Sequence, residues 1–473
     1  MKNILIISIC LCVVSSHAQQ IQWAHKLIKY SSDLGGKQYG IKRILGKPDA
    51  FPQAGNSPNA WAPKKALDGY EIVELGFEKP QSVKQIAVFE NLNAGCVVKI
   101  GVDTGSGKYE TVWTRKSDWK TPTFKATLPA DRAYYYKRKR RKIQDAPELL
   151  NPGVEHALLN QMVSNVVAVK IEFNFALLPG QKQIDAVGIS DSDAPLNAQI
   201  NTGSTFELLP KAEELTMVDT DISAIEVADD GKRLFFTSND GQKDQVYCAN
   251  RNPDGNWSAP KLEVSLSEND SFNFVEYASP TYVLKGGNRY ETGTGETGFQ
   301  LYKLNNGAFE PADPIKITAY ANYGETADAT VTADLKTIVL AVESDFTQGG
   351  SDFYFANQKS DGTYGLLQNM GKAINSADDE ITPQLLSDQK TLLFSSCGFS
   401  SFGNYDIYVS YRLDDSWKNW SEPVNLGSKI NGDGFEGGPF YDEPSQQLYF
   451  TKSVDGKLKL HAVKIPIKDL MKG

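Results

Sequence analysis

The sequence predicts an all-β protein: an N-terminal β-sandwich followed by a β-propeller of five blades, with six as the alternative count. Three observations carry this. Short apolar runs bounded by turn formers recur along the chain, and they are too short for helices. One pattern of turn, strand, loop, strand and aromatic or proline edge repeats through the second half. The 39 glycines and 22 prolines among 473 residues supply the turns that such a protein needs.

The clearest copy of the repeat reads SDQKTLLFSS (387–396), NYDIYVS (404–410) and WSEPVNLG (420–427). Ser387 to Lys390 is a polar turn of the kind that closes a hairpin, and Leu392, Leu393 and Phe394 form a buried strand. ADDGKRLFFTS (228–238), TADLKTIVLAV (332–342) and DEPSQQLYFTK (442–452) share the layout, and YVLKGGNRYETG (282–293) is a degenerate copy. The turn residues Asp334, Asp388 and Glu443 stand 54 and 55 residues apart, and Asp230 lies 104 before Asp334, close to two periods. Second strands follow at 243–249, 298–304, 351–357, 404–410 and 457–463. Several strands per unit at this period indicate a propeller and not a solenoid. The last copy lacks an outer segment, and FELLPKAEEL (206–215), ahead of the first, is the expected replacement. A ring closed by its own start has no open edge.

Over residues 205–466 this pattern resembles the WD40-like PD40 repeats of TolB-type and OmpA-family envelope proteins of Bacteroidetes-like bacteria. The OmpA family adds a peptidoglycan-binding domain where this chain has only a short tail, 467–473.

Ahead of the repeats, residues 1–18 read as a secretion signal: Lys2, an apolar run from Ile4 to Val14, then Ser16-His17-Ala18 before a cleavage point. That run is too short to span a bilayer. Residues 19–37 are expected to be a loosely held lead-in. From 38 to 190 lies the predicted sandwich. Pro48, Pro52, Pro58 and Pro63 exclude a helix at its start, and alternating strands follow at 71–77, 82–91, 95–104, 108–114, 168–175 and 183–190. An insertion falls near 132–165. Within it, Val154, Leu158, Leu159 and Met162 have helical spacing behind Asn151-Pro152, which predicts a short amphipathic helix over 152–162. Residues 191–204 have linker composition. ILGKPDAFP, NAWAPKK, ELGFEKPQSVKQIAVFEN and PGQKQIDAVGI resemble the galactose-binding-like jelly-roll modules found beside PD40 repeats. That resemblance implies a fold more than a ligand.

Net charge is −9, which argues against a general nucleic-acid binder. Cys96, Cys248 and Cys397 remain after signal cleavage, an odd number that reads as buried free thiols. Lys137, Arg138, Lys139, Arg140, Arg141 and Lys142 follow three tyrosines. They read either as a solvated loop or as a contact for lipopolysaccharide phosphate, another anionic glycan or an acidic partner. Trp61, Lys64, Lys65, Asn91 and Asn93 sit in sandwich loops. They read either as a sugar site, with Trp61 stacking on a ring, or with Trp61 as a plug on the core.

Gly293 to Gly298 matches G-x-G-x-x-G, but no helix follows, so the dinucleotide reading fails. The acids Asp219/Asp221 and Asp378/Asp379/Glu380 are the places where a structural Ca²⁺ would sit, although no EF-type spacing supports one. Neither HExxH, Cys-x-x-Cys nor G-x-S-x-G is present. The reading is therefore of a non-enzymatic, exported envelope scaffold without a cofactor, in the periplasm or at the outer membrane. Its propeller would bind an envelope protein and its sandwich a glycan or partner. Carbohydrate binding by the sandwich loops is the alternative, and a propeller-based hydrolase or lyase the second.

Overall fold

The computed structural model describes residues 19–67, 69–116, 126–127, 149–150, 152–228, 230–239, 242–269, 271–291 and 293–471. The predicted signal (1–18) and the basic run (137–142) lie outside the described residues.

The N-terminal strands are β1 (Ile21–Trp23), β2 (Lys26–Tyr30), β3 (Tyr70–Leu92), β4 (Val97–Asp103), β5 (Glu110–Thr114), β8 (Gly153–Asn174) and β9 (Gln183–Ser190). A two-residue pair intervenes, β6 (Ala126–Thr127) and β7 (Leu149–Leu150). The expected strands at 71–77 and 82–91 are one strand, β3. Its ladder with β8 shifts register between Gly76 and Gln85, around Pro80, which has no N–H to donate. The first half of β3 pairs with β2 and the end of β8, which carries β4 and then β5. The second half pairs with β9 and the start of β8, and β9 carries β1. The two halves fold onto each other as a sandwich. Its core takes Val73 and Leu75 from one half of β3, Ile86 and Val88 from the other, and Ile171, Phe173, Val187 and Ile189.

Two expectations fail here. The helix over 152–162 is the start of β8: Val154, His156 and Leu158 pair with Phe89, Ala87 and Gln85, while Met162 is exposed. The alternation around buried Ala157 and Leu159, together with the valines at 163, 166, 167 and 169, outweighs a chance match to helical spacing. Residues 19–37 are no loose lead-in either, because β1 and β2 are both hydrogen-bonded into the sheet.

Five four-stranded blades follow. Blade 1 is β11 (Asp221–Val227), β12 (Arg233–Asn239), β13 (Asp244–Asn250) and β14 (Lys261–Leu262). Blade 2 is β15 (Phe274–Ala278), β16 (Tyr282–Gly286), β17 (Glu296–Asn305) and β18 (Ala308–Lys316). Blade 3 is β19 (Asp328–Val331), β20 (Thr337–Val342), β21 (Asp352–Asn357) and β22 (Gln368–Asn369). Blade 4 is β23 (Glu380–Leu385), β24 (Thr391–Ser396), β25 (Asp406–Tyr411) and β26 (Val424–Asn425). Blade 5 is β27 (Glu436–Asp442), β28 (Gln447–Val454) and β29 (Lys457–Lys464). Its outer strand is β10 (Glu213–Glu214), paired with β29 at Ala462 and His461. The segment 206–215 thus closes the ring as its sequence predicts. The inner strands pack on one another in order, and β27 meets β11. The tail forms a short helix, α1 (Ile467–Leu470), whose Leu470 is buried beside blades 4 and 5.

Candidate functional site

In a propeller, the loops entering each inner strand and those joining its second and third strands share one end of the ring. At that end, blades 3 and 4 carry the same buried polar network. Asp406 at the start of β25 accepts hydrogen bonds from Phe402 N (2.7 Å), Gly403 N (3.2 Å) and Asn425 Nδ2 (2.6 Å). Asn431 accepts from Ile407 N (2.8 Å) and donates to Ile407 O (3.0 Å) and Asn425 Oδ1 (2.7 Å). Asp352, Asn369 and Asn375 repeat this around Phe353. Glu380 takes Ser376 N at 2.9 Å, and Glu436 takes Gly432 N at 2.9 Å. Burial pushes Asp352 up to about 6 and Asp406 up to about 7, against the hydrogen bonds that favour their charge. Burial, then the neighbouring Asp352, holds Glu380 well above the carboxylate range. These acids shape loops, and their oxygens are already engaged.

Sequence reasoning missed this network although a signal existed. N-x-G-x-x-I-N-x-x-x-x-E occurs at 369–380 and again at 425–436. The glycine is required because Gly371 (φ 96°) and Gly427 (φ 79°) are left-handed, which lets the loop fold back on the asparagines.

The sandwich rests on these ordered loops. Asn59 is buried and bridges the two folds. Its amide donates to Gly398 O (3.0 Å) and its carbonyl accepts from Ala377 N (2.7 Å). Ser400 Oγ lies 2.8 Å from both Pro48 O and Phe51 O, and its single O–H is shared between these two carbonyls. Gln38 Nε2 reaches Ala377 O (3.1 Å), and the exposed pair Lys47–Glu422 (3.1 Å) stands at the rim. The linker is engaged as well: Asn425 N donates to Asn201 O (2.8 Å), so Thr202 runs beside the outer edge of blade 4.

The rest of this end is acidic, and the sandwich reaches it where Lys37 Nζ donates to Thr347 O. Loops 263–273, 317–327 and 343–351 contain Glu263, Glu268, Asp270, Glu325, Glu343 and Asp345 and not one lysine or arginine. They expose Phe272, Tyr323 and Phe346, and Tyr323 OH donates to Asp345 Oδ1 (2.5 Å). Arg289, Lys243 and Lys372 are cations on neighbouring loops of the same end. Inward of the rim, half-buried Glu276 accepts from Ala329 N (3.1 Å) and Asp328 from Thr382 N (2.9 Å), tying successive inner strands. Burial, then the repulsion of Asp328, pushes Glu276 well up.

The expected sugar site does not assemble. Trp61 is fully buried, edge-on to Phe173, and its Nε1–H donates to Ser32 O (3.1 Å). No face is free for stacking, so the core-plug alternative describes it. Asn91 is buried, and its amide is spent on Gly55 O and Gln183 Oε1. Asn93 Nδ2 donates to Gln181 O (2.7 Å). Lys64 and Lys65 are exposed and apart from these amides in role.

Asp219 faces Lys457 (3.3 Å) and Lys459 (3.8 Å), cations that serve its charge. Asp378, Asp379 and Cys397 bring possible ligand atoms within 4.8 Å of one another, while Glu380 turns away to Ser376 and Ser396. Asp379 is already bonded to Ser351 N and Tyr405 OH. Burial, then Asp378 and Asp379, pushes the Cys397 thiol well up, which opposes the thiolate a metal needs. Gly293 to Gly298 leads into β17, a strand. Among the described residues Cys96, Cys248 and Cys397 are unpaired: Cys96 is buried, and Cys248 and Cys397 are half-buried.

No protein-family model matches the chain, and no curated protein does. Among solved structures, TolB from Acinetobacter baumannii is 12% identical with a TM-score of 0.31, covering 52% of this chain and 55% of its own. This chain thus spans about half of that protein. An α-L-arabinofuranosidase from Lactobacillus brevis is 13% identical (TM-score 0.33; 52% of this chain, 90% of that one). A gluconolactonase from Xanthomonas campestris is 10% identical (TM-score 0.29; 57% and 98%). Likeness of this degree assigns no activity. It does correct one expectation: proteins named for enzymatic activities stand among the similar structures, so the reading of a non-enzymatic chain no longer holds. Among the described residues, no helix is long and apolar enough to cross a membrane.

Proposed function

We propose that this is an exported binding protein of the cell envelope, acting in the periplasm or at the outer membrane. Its propeller takes a protein partner on the part of the loop-bearing end that the sandwich leaves open. The observation that carries this is the acidic rim with its three exposed aromatic side chains, Phe272, Tyr323 and Phe346, on loops without a single cation. The chemistry it fits is a basic segment bearing apolar side chains. Aromatic rings supply contact area and carboxylates supply orientation and encounter rate. The sandwich then serves as a buttress that orders blades 3 and 4, through a module similar to the galactose-binding-like jelly-rolls.

The test is a crosslinking capture from native envelope with three forms of the tagged protein. The wild type is expected to retain a partner at 0.1 M salt and lose most of it at 0.5 M, where screening is strong. The double variant Tyr323→Ala/Phe346→Ala is expected to lose it. Leu413→Ala, an exposed apolar change at the opposite end, is expected to keep it. Capture that ignores Tyr323 and Phe346 would overturn the assignment of this surface.

A further inference from the structure

Three segments of the sandwich meet on one exposed surface. Leu34 N donates to Ala62 O (3.1 Å), Lys64 N to Ser32 Oγ (3.1 Å) and Phe175 N to Gly69 O (3.0 Å). Asn174 Nδ2 donates to Tyr70 OH (3.0 Å). These bonds lace residues 30–34, 62–70 and 174–177 together, and Tyr30, Leu34, Leu67, Tyr70 and Leu177 are exposed on them. Apolar side chains scattered singly over a surface are ordinary, but five laced into one patch mark an interaction site.

The patch is also cationic. Lys64 and Lys65 are exposed within it. The neighbouring acids are spent: Glu71 is buried and accepts from Ser31 and Ser32, and Asp33 accepts from Ile41 N (3.0 Å). Asp68 lies outside the described residues. A basic surface bearing apolar side chains is the complement of the acidic, aromatic rim of the propeller. Lys37 joins the two surfaces. Its Nζ donates to Thr347 O, next to Phe346, and Leu34 is three residues from Lys37, at most about 11 Å of chain. The two surfaces therefore adjoin, and both are exposed, so neither covers the other within one chain.

We infer that a second copy of this chain occupies the rim, the sandwich patch of each copy covering the propeller rim of the other in a two-fold dimer, an assignment that rests on the rim being a protein-docking surface and names what docks there.

Adjoining complementary surfaces favour that symmetry. A two-fold rotation sets residue i against j and j against i, so both contacts form at once and the assembly closes at two copies. A head-to-tail arrangement would make one contact per neighbour and grow without end. The rim is ordered before it docks. Ser344 N donates to Thr347 Oγ1 (2.7 Å) and Thr347 N to Ser344 O (3.1 Å), so the turn that carries Phe346 presents the ring at little entropic cost. The rings and aliphatic side chains supply contact area, and the lysines facing the rim carboxylates supply orientation.

The test is sedimentation of the purified full chain over a concentration series. Monomer and dimer are expected and nothing larger, with the dimer weakened between about 0.1 and 0.5 M salt. Lys64→Glu/Lys65→Glu and Glu325→Lys/Glu343→Lys change exposed residues only. Each pair should raise the dimer dissociation constant by more than about tenfold, because like charges then face each other. The chain with all four changes should recover the dimer, because each surface again meets its opposite. A monomeric wild type, species beyond the dimer, reversals without effect or a four-fold variant without recovery would overturn the dimer. If the wild type is monomeric while Tyr323 and Phe346 still capture an envelope protein, this inference alone falls. If they capture none, the reading of the rim falls with it.

Discussion

Asn59→Ala tests whether the sandwich and the propeller are held by a few buried bonds. The side chain is 1% exposed and makes both halves of a reciprocal contact, accepting from Ala377 N and donating to Gly398 O. Alanine leaves an N–H and a C=O unpaired in a buried interface. Each costs about 1–3 kcal/mol, and entering water recovers part, so the expected loss is about 2–4 kcal/mol. Neither domain's core contains Asn59, so the loss should appear as weaker docking and not as unfolding of either fold. Hydrogen exchange of the full chain reads it directly. Protection at Ala377 should fall by about 30-fold to 1,000-fold, the equivalent of that free energy, while Leu393 in β24 and Val187 in β9 keep theirs. Asn59→Asp retains the acceptor for Ala377 N but sets a carboxylate against Gly398 O, and should lose at least as much. A change at Ala377 under about threefold, roughly 0.6 kcal/mol, would mean that the interface does not depend on this residue.

Two further outcomes follow from the same geometry. Asn431→Ala leaves buried Ile407 N without a partner and takes one of two donors from Ile407 O and Asn425 Oδ1, which keep Leu426 N and Gly427 N, so it should cost about 1–3 kcal/mol in urea unfolding of the propeller. Asn375→Ala, which loses the matching bonds around Phe353, should agree with it within about 1 kcal/mol. Glu90 is buried beneath the Gly95 and Cys96 amides, and burial pushes it up to about 7. A raised carboxyl stabilises the fold below its unfolded value of about 4.5 and loses that contribution as pH rises to 7. The sandwich should therefore weaken by about 3 kcal/mol over that window. Glu90→Gln should flatten this part of the pH profile in thermal unfolding, and an unaltered profile would show that Glu90 does not titrate there.

The propeller was legible because its signal is repetition. Each copy independently states the same turn and strand, so even the poor match at 282–293 could be placed by spacing, and it forms β16. The closing segment at 206–215 was legible by subtraction, since one blade lacked an outer strand. The sandwich offered no such redundancy. Helical spacing at Val154, Leu158 and Met162 is a local pattern, and local patterns yield to pairing when a strand as long as β3 lies alongside. Trp61 shows a different limit. An aromatic residue in a proline-rich loop has the same sequence signature whether it faces sugar or core. The difference lies in Phe173 and Ser32, distant in sequence and adjacent in space. The interface was invisible for the same reason, since Asn59 and Ala377 are 318 residues apart.

The division of labour among blades follows from where the repeat is regular. Blades 3 and 4 carry the full asparagine motif, and their loops are fixed from within by Asp352, Asp406, Asn375 and Asn431. Loops held in that way can offer Ala377 N and Gly398 O to another domain at little entropic cost, because they are ordered before docking. Blade 1 has Ser267 bonded to Val246 N where blades 3 and 4 use the second asparagine. Blade 2 begins its third strand with Thr297 bonded to Ile315 O, in place of the buried aspartate. The open rim with Phe272 and Tyr323 lies on the loops around these irregular blades. The pattern is of regular blades turned to internal docking and irregular ones left to face outward. The surface to search for a partner is therefore the one where the repeat breaks down.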